Sequence, residues 1–115
     1  MKPKDFQRLI DRDGGGCVCC GETEAIAPNH RAGRGFGGAS KTSYLNLPSN
    51  LVTLCSRTNF LIESDADQAE RATAYGWKVS RYIDPKTVPV FDAKVGKWFA
   101  LDDDYQRAPA DTLRK

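Results

Sequence analysis

The first apolar residues of the chain recur at the spacing of an α-helix. Phe6, Leu9 and Ile10 fall on one side of a helix that begins at Pro3 and ends before the glycines at positions 14–16. Proline in the first turn and glycine after the last turn are typical helix boundaries. The pattern therefore predicts a short amphipathic helix at the N-terminus, with a structural role.

Two short apolar runs flank a long loop in the centre of the chain. Residues 25–28 predict one strand, which delivers Asn29 and His30 to its end. Residues 31–49 contain many glycines and serines, show no sustained period and predict a loop. The β-branched and apolar run at 50–55 then predicts a second strand.

The second half of the chain combines helical and strand patterns. A helix is predicted from about residue 56 to 63, and Ser64 with Asp67 forms a capping box for another helix that stops at Gly76. The two helices could also be continuous. Short strands follow, predicted at 77–83, 88–91 and 97–101. Gly96 closes a hairpin turn before the last strand.

Aromatic residues recur along this C-terminal half. Their predicted positions on strands favour packing in a core for the following five residues: Trp77, Tyr82, Phe91, Trp98 and Phe99. Stacking on nucleic-acid bases is the alternative.

Chain length and composition set the class of protein. A chain of 115 residues is the usual size of one domain, so we assign a single α+β domain to residues 1–105 and a flexible tail to 106–115. No apolar run approaches the ~20 residues of a membrane span, and the N-terminus lacks the apolar segment of a signal peptide. We therefore expect a soluble, cytoplasmic protein with no membrane partner.

Charge is distributed unevenly along the chain, whose formal net charge is +2. No acidic residue lies between Glu24 and Glu63, and this stretch carries a charge of +4 from Arg31, Arg34, Lys41 and Arg57. Such a segment favours an anionic ligand, for example the backbone of a nucleic acid. The alternative is a solvated loop whose charge has no specific partner.

Three of the four cysteines fall within four positions. Cys17 and Cys20 form a Cys-x-x-Cys pair followed by Gly21, with Cys19 between them and Cys55 far along the chain. In a reducing compartment such a pair forms a zinc knuckle or a redox pair. No thioredoxin-like strand and helix surround it, so the pattern favours the knuckle.

The order of these motifs resembles that of the HNH endonuclease family. The shared features are the Cys17 and Cys20 pair, Asn29 followed by His30, a glycine-rich loop, and Asn50-Leu51-x-x-Leu54-Cys55-x-x-Thr58-Asn59. The resemblance extends from about Cys17 to Glu63 and is to small phage and actinobacterial members. It implies a ββα-metal core, flanked here by the N-terminal helix and a C-terminal β-hairpin. It also implies nicking or cleavage of DNA with 5′-phosphate products.

The resemblance implies roles for individual residues. His30, the only histidine, is the general base, since imidazole accepts protons near neutral pH. Asn50 clamps the loop backbone and so orients His30. Asn29 and Asn59 occupy the ligand positions of a Mg²⁺ or Mn²⁺ ion, with Asn29 in place of the usual Asp or His. Helical spacing, and not the resemblance, adds Glu63, which lies one turn after Asn59 and could supply the missing negative charge; a solvated helix end is the alternative. Phosphate contacts fall to Arg31, Arg34, Lys41 and Arg57.

Two departures from the family pattern leave alternatives open. Thr58 stands where the fourth zinc cysteine would be, which leaves Cys17, Cys20 and Cys55 for a four-coordinate site. Either an outside ligand completes a structural Zn²⁺ site, or the zinc has been lost and the cysteines pack as small apolar groups. We favour loss.

The function has alternatives as well. The uncharged residue at Asn29 and the missing fourth cysteine motivate a non-catalytic DNA-binding or phage DNA-packaging accessory module on the same scaffold. A third interpretation is a nuclease that is active only beside a partner, such as a phage terminase or packaging protein. A phage-encoded protein of this kind would act in the host cytoplasm.

Overall fold

A computed structural model describes residues 1–33 and 43–110. Within them the chain forms α1 (Pro3–Arg12), β1 (Ile26–His30), β2 (Leu51–Cys55), α2 (Ser56–Ser64), α3 (Ala66–Ala74), β3 (Val90–Asp92), β4 (Lys97–Leu101) and β5 (Arg107–Pro109). Short 3₁₀ turns lie at Ser43–Asn46, Pro48–Asn50 and Pro85–Thr87. The predicted α+β class is confirmed. None of the described helices is long and apolar enough to cross a membrane.

β1 and β2 form an antiparallel pair that leads directly into α2. Ile26 lies opposite Cys55 at one end of the pair, and His30 lies opposite Leu51 at the other. Every residue of β2 is buried, which agrees with the uninterrupted apolar and β-branched run in its sequence. The two sequence motifs around His30 and Cys55 are therefore held in one rigid unit.

The two faces of β2 pack against different helices. Val52 and Leu54 belong to the main apolar core, together with Ile62 of α2. Leu51 lies on the other face because side chains alternate along a strand, and it lines a cleft together with Asp5 of α1. The strand pair is therefore a layer between α1 and α2, and both helices contact it.

A buried ion pair fastens the end of α1 to the strand pair. Arg12 and Asp13 are 6 % and 1 % exposed, and Arg12 Nε donates to Asp13 Oδ1 at 2.8 Å. The other Arg12 nitrogens donate to the carbonyls of Pro48 and Leu51 at 2.8 and 2.7 Å. Asp13 Oδ2 accepts the backbone N–H of Thr53 at 2.8 Å. Buried charges need such pairing and hydrogen bonding, so α1 docks through polar as well as apolar contacts.

β3, β4 and β5 form a second antiparallel sheet. The predicted hairpin is confirmed, since β3 pairs with β4 and Gly96, at a φ of +66°, lies in the turn between them. The fully buried carboxylate of Asp92 lies 2.9 Å from Lys94 Nζ and 2.8 Å from Arg107 Nη1. Lys94 Nζ also donates to the Asp13 carbonyl at 2.7 Å. The second sheet is therefore tied to the end of α1.

A strand, β5, lies within the stretch 106–115 for which the sequence predicts a flexible tail. A flexible tail from residue 106 is wrong for β5, which pairs with the end of β4. The ion pair between Arg107 and Asp92 holds this strand, and the hydrophobic pattern carries no signal for such a contact. Residues 111–115 lie outside the described part of the chain.

The strand predicted at 77–83 is also wrong. These residues form turns with a single bridge, between Ala32 and Val79. Trp77 is 1 % exposed and packs in the core as predicted, whereas Tyr82 is 82 % exposed, so its predicted core packing is wrong. The buried Trp77 side chain and the backbone hydrogen bond from Val79 to the Arg31 carbonyl hold this segment.

α2 and α3 are separate helices. The N-cap of α3 is Asp65 and not the predicted Ser64, because Asp65 Oδ1 accepts the N–H groups of Asp67 and Gln68 at 2.8 and 3.2 Å. Ser64 instead donates its hydroxyl to the Phe60 carbonyl at 2.7 Å. A carboxylate cap also interacts favourably with the positive end of the helix dipole.

We expect Asp92→Asn to lower the free energy of unfolding near pH 7 by roughly 3 kcal/mol, because two cations would then face a neutral amide in a buried site. Burial opposes ionisation of Asp92, but hydrogen bonds from Arg107 and Lys94 outweigh it and hold the pKa of this carboxyl below its usual value. Its contribution is therefore complete above the ordinary pKa of aspartate and is lost as pH falls through the lower folded value.

Urea unfolding at several pH values measures this effect. The difference between wild type and Asp92→Asn should shrink as the solution becomes acidic. A difference that does not change with pH would contradict the assignment of this carboxylate as the anchor of the second sheet.

Candidate functional site

His30 ends β1, and a neighbouring amide orients its ring. His30 Nε2 lies 2.8 Å from Oδ1 of Asn46. An amide oxygen only accepts hydrogen bonds, so this contact places the ring proton on Nε2 and leaves a lone pair on Nδ1. The pair lies at the protein surface. A neutral ring held in this way has Nδ1, and not Nε2, as its basic nitrogen.

A cleft of about 380 Å³ opens beside the His30 ring. It is lined by Met1, Asp5, Pro28, His30, Asn46, Leu51 and Tyr105. These residues come from the chain start and the first turn of α1, from β1 and β2, from the 3₁₀ turn at Ser43–Asn46 and from the turn after β4. Asp5 is the one carboxylate among them. The cleft, called the His30 cleft below, is within the size range of small-ligand sites.

Tyr105 forms part of the wall of the His30 cleft. Its φ of +59° is uncommon for a residue other than glycine. Asp102 Oδ1 fixes this turn by accepting the N–H groups of Asp104 and Gln106 at 2.8 and 3.0 Å. Burial, followed by the nearby Asp5 carboxylate, raises the pKa of the Tyr105 phenol. A neutral phenol therefore lies close to Asp5 in the cleft wall.

Asn50 is 1 % exposed and joins the two ends of the long loop. Its Oδ1 accepts the N–H of Ala32 at 2.8 Å, and its Nδ2 donates to the carbonyls of Ala32 and Leu45 at 3.1 and 2.9 Å. Among neutral side chains, an amide supplies an acceptor and two donors together. This contact is of the kind that the family resemblance implies for Asn50, and its effect on His30 stays a prediction.

Arg31 is a buried structural residue. It is 1 % exposed, and its guanidinium donates at 2.8, 2.8, 3.1 and 2.5 Å to the carbonyls of Gly76, Ser49, Pro85 and Val88. Burial, followed by repulsion from Arg12, lowers the pKa of Arg31 to about 10, which leaves it charged at neutral pH. The prediction that Arg31 binds phosphate is therefore wrong, because its donors already bind backbone carbonyls inside the protein.

Of the other three predicted phosphate-binding residues, the structure describes only Arg57. Arg34 and Lys41 lie outside the described residues. Arg57 is exposed in the first turn of α2 and borders a cleft that Cys20 and Cys55 also line. Its role in phosphate binding stays a prediction.

The predicted amide ligands of the metal do not line the His30 cleft. Adjacent residues of a strand face opposite sides, so Asn29 lies on the other face of β1 from His30. Asn29 Nδ2 donates to the Ala27 carbonyl at 3.0 Å. Asn59 is half-buried on α2, the helix that packs with Val52 and its face of the strand pair. Asn29 and Asn59 therefore belong to the α2 side of the strand pair.

Glu63 does not line the His30 cleft either. Its side chain is 62 % exposed, and its Oε2 lies 3.8 Å from Lys78 Nζ. An exposed pair of this kind contributes little to stability, but it shows which charge Glu63 faces. The sequence predicts Glu63 as a ligand of the metal beside Asn59, and the structure places its carboxylate next to Lys78.

Cys17, Cys20 and Cys55 form a cluster at the other end of the β1–β2 pair. Their sulfur atoms lie within 4.8 Å of one another, with 3.6 Å between Cys20 and Cys55, and the group could hold a metal ion. Tetrahedral zinc with Zn–S bonds of about 2.3 Å spaces its sulfurs by roughly 3.8 Å. Cys19 lies outside this group and accepts from Arg71 Nη1 at 3.9 Å.

Thr58 lies against all three thiols of the cysteine cluster. Its Oγ1 is 3.3 Å from the sulfur of Cys55, 3.8 Å from that of Cys17 and 4.0 Å from that of Cys20. Burial opposes ionisation of Cys55, but hydrogen bonds from Thr58 outweigh it and lower the pKa of Cys55 to about 7. Burial raises the pKa of Cys20 to about 11. The Thr58 hydroxyl thus lies within 4.0 Å of all three sulfurs.

Sequence reasoning missed three residues of the His30 cleft: Asp5, Asn46 and Tyr105. Asp5 belonged to a helix whose role was judged structural, and Asn46 fell within the predicted loop. Tyr105 lay at the edge of the predicted tail. Each reaches the cleft through tertiary packing, so no local motif marks it. The one available signal was an acidic residue in the first turn of α1.

Comparisons with models of known protein families, with curated proteins and with solved structures returned no match for this chain. Function must therefore be argued from the motifs and from the geometry of the site.

We expect Arg31→Met to lower the free energy of unfolding by roughly 3 to 5 kcal/mol, because it leaves buried carbonyl groups without donors. Arg57→Met is the matched control at an exposed position and should change stability by less than about 0.5 kcal/mol. Denaturant unfolding of both variants measures the difference. An Arg31→Met variant as stable as wild type, with weakened DNA binding, would restore Arg31 as a phosphate ligand.

Proposed function

We propose that this protein is a divalent-metal-dependent DNA endonuclease of the HNH type. The observation that carries the proposal is the arrangement at His30 in the wall of a cleft, where Asn46 Oδ1 lies 2.8 Å from Nε2 and so assigns the ring proton to that nitrogen. It agrees with the role that the motif order implies for this histidine. The proposal makes His30 the general base for hydrolysis of a phosphodiester bond.

The order of β1, β2 and α2 supports the same proposal. The two strands pair in antiparallel fashion, and α2 begins at the residue after β2. A ββα-metal core has this sequence of elements, with the base at the end of the first strand. We therefore interpret β1, β2 and α2 as such a core, with α1 and the second sheet as additions.

The reaction assigned to His30 is proton transfer coupled to attack by water. His30 Nδ1 takes a proton from the water, and the water oxygen forms a bond to phosphorus. The bond from phosphorus to the 3′ oxygen breaks, and this oxygen leaves with a proton from solvent, so the products are a 3′-hydroxyl and a 5′-phosphate. Asn46 keeps the ring proton on Nε2 and stabilises the imidazolium that forms.

A Mg²⁺ or Mn²⁺ ion would stabilise the charge that builds on the phosphate and the leaving oxygen. The resemblance gives its ligand positions to Asn29 and Asn59, and amide oxygens are suitable ligands for such hard cations. Both are neutral, and Asn29 lies on the strand face away from His30. The donor set therefore fits a divalent cation only if a carboxylate contributes.

The DNA backbone would be bound by the cations that remain in the basic stretch between Glu24 and Glu63. Arg57, with Arg34 and Lys41 of the segment that the structure does not describe, are the remaining candidates after Arg31 is removed. A phage terminase or another packaging protein is the partner class that the resemblance suggests. The non-catalytic DNA-binding module remains the second candidate, because Asn29, Asn59 and the diverted Glu63 leave few anionic ligands on α2 and β1.

We also propose that the cysteine cluster holds a structural Zn²⁺ ion. Two points support this proposal. The three sulfurs lie within 4.8 Å of one another, close to the spacing that tetrahedral zinc needs, and thiolates are common ligands of this metal. Thr58 Oγ1, or a water in its place, would complete the coordination. Zinc would then lock the segment 17–20 against the start of α2.

We expect His30→Ala to reduce nicking of supercoiled plasmid by roughly 10²- to 10⁴-fold, because a general base contributes about that much to the rate. DNA affinity should hardly change, since the base does not carry the charge that binds phosphate. The nicking rate is measured in Mg²⁺ or Mn²⁺, with EDTA as the blank. A DNA retention assay measures the affinity.

Asn46→Ala is the companion variant. It keeps the histidine but frees its ring, so its loss of nicking should be smaller than that of His30→Ala. Wild-type protein that retains DNA without any metal-dependent nicking would select the binding module. A His30→Ala variant that nicks at the wild-type rate would remove His30 as the base.

We expect Thr58→Cys to bind Zn²⁺ more tightly than wild type, because it adds a fourth thiolate to the cysteine cluster. Tighter binding to the folded state should raise the thermal midpoint in the presence of zinc. Cys19→Ser is the matched control, since Cys19 lies outside the cluster, and it should bind as wild type does. Co²⁺ substitution read by its thiolate charge-transfer absorption measures binding, and a cluster that binds no Co²⁺ in either variant would contradict the zinc site.

A further inference from the structure

We infer that Cys20 and Cys55 are a site of oxidation, where a peroxide converts the two thiols into a reversible disulfide, and that this bond and a bound Zn²⁺ ion exclude each other. The disulfide is independent of the proposed endonuclease function, and only the exclusion of metal rests on the proposed zinc site. The cysteine cluster then has two states, one that holds metal and one that is oxidised.

The sulfur atoms of Cys20 and Cys55 lie close to each other, although the two residues are 35 positions apart in the chain. Cys20 Sγ is 3.6 Å from Cys55 Sγ. A disulfide bond of about 2.05 Å requires the two atoms to approach by roughly 1.5 Å more. Cys20 is exposed and lies in a turn, so its side chain can make this movement while Cys55 stays in the core.

Both sulfur-bearing residues of this pair border solvent. Cys20 and Cys55 line one cleft of about 280 Å³, which is large enough to admit a molecule as small as hydrogen peroxide. Cys17, the third member of the cluster, is 0 % exposed and does not line this cleft. An oxidant from solvent therefore meets Cys20 and Cys55 before it meets Cys17.

Oxidation of the pair by hydrogen peroxide takes two displacement steps. The thiolate of one cysteine attacks a peroxide oxygen, the O–O bond breaks, and hydroxide leaves as a sulfenic acid forms. The thiolate of the other cysteine attacks the sulfenic sulfur, the S–O bond breaks, and a second hydroxide leaves as the disulfide forms. The protons released by the two thiols convert both hydroxides to water. The cysteine pair loses two electrons, and the peroxide gains them.

A disulfide between Cys20 and Cys55 removes two of the three thiols that could hold a metal ion. Thiolate sulfur is the ligand that zinc binds. Cys17 would remain with the hydroxyl of Thr58, and these two groups are too few for a tetrahedral site built from protein ligands. Oxidation therefore expels the metal. Reduction by an external thiol, through thiol–disulfide exchange, restores the site.

The test is made on the full chain, reduced and freed of metal with EDTA. A small molar excess of hydrogen peroxide should remove two of the four free thiols, and a thiol reductant should return them. Three of the cysteines lie in the one tryptic peptide 13–31, so fragmentation of the cross-linked peptides has to identify the partner of Cys55. We expect that partner to be Cys20.

Single cysteine variants separate this pair from general oxidation of thiols. Cys19→Ser is the matched control, because Cys19 is next to Cys20 but lies outside the cluster. It should form the same disulfide at the wild-type rate. Cys20→Ser and Cys55→Ser should form an intramolecular disulfide roughly tenfold more slowly, or not at all, because one sulfur of the pair is gone. Amide spectra of all variants report whether the fold is retained.

Metal release is measured on wild-type protein loaded with Zn²⁺. The same dose of peroxide should release one zinc ion for each disulfide formed, read with a colorimetric zinc indicator. Zinc that stays bound beside the disulfide, or a protein that binds no zinc at all, would overturn the exclusion. A cross-link that uses Cys17 or Cys19 in place of Cys20, or oxidation to sulfinic acid without a disulfide, would overturn the pair itself.

Plasmid nicking is a separate measurement. A protein that nicks DNA but forms no Cys20–Cys55 disulfide would keep the endonuclease function and remove this inference. A protein that forms the disulfide and never nicks DNA would support this inference and remove the endonuclease function.

Discussion

Hydrogen bonds from buried side chains to loop carbonyls hold the region around His30 in place. Arg31 is next in sequence to His30, and its guanidinium binds four carbonyl groups from segments far apart in the chain. Asn50 likewise hydrogen-bonds the backbone of Ala32 and of Leu45, two residues far apart in the chain. Backbone groups outside helices and sheets need such partners when they are buried. His30 therefore has a firmly bonded neighbour in Arg31.

The β1–β2 pair separates two kinds of chemistry. His30 pairs with Leu51 at one end and Ile26 pairs with Cys55 at the other, which places the two sites roughly 13 Å apart along the strands. The thiols lie where β2 becomes α2, and the Cys55 sulfur caps that helix by accepting the Thr58 N–H at 3.4 Å. A metal ion at the thiols would therefore fix the direction of α2. It would not touch the reacting atoms.

The elements that depend on local pattern could be predicted from the sequence, and those that depend on buried polar contacts could not. The spacing of Phe6, Leu9 and Ile10 indicated α1, and the apolar run of β2 indicated a buried strand. By contrast, β5 is held by the Arg107 to Asp92 ion pair, which no periodicity reveals. The burial of Arg31 could not be predicted either, because an arginine inside a basic stretch is usually interpreted as a surface residue.

The position of α1 links the fold to the candidate chemistry. Its last residue, Arg12, is bonded to Asp13 and to the carbonyl of Leu51 in β2, while its first turn carries Asp5 into the His30 cleft. Asp5 and Arg12 are about 10 Å apart along the helix axis. The buried ion pair therefore sets where the carboxylate stands relative to His30, since the helix between them is stiff. The docking of α1 through Arg12 therefore determines that the cleft beside His30 carries a carboxylate.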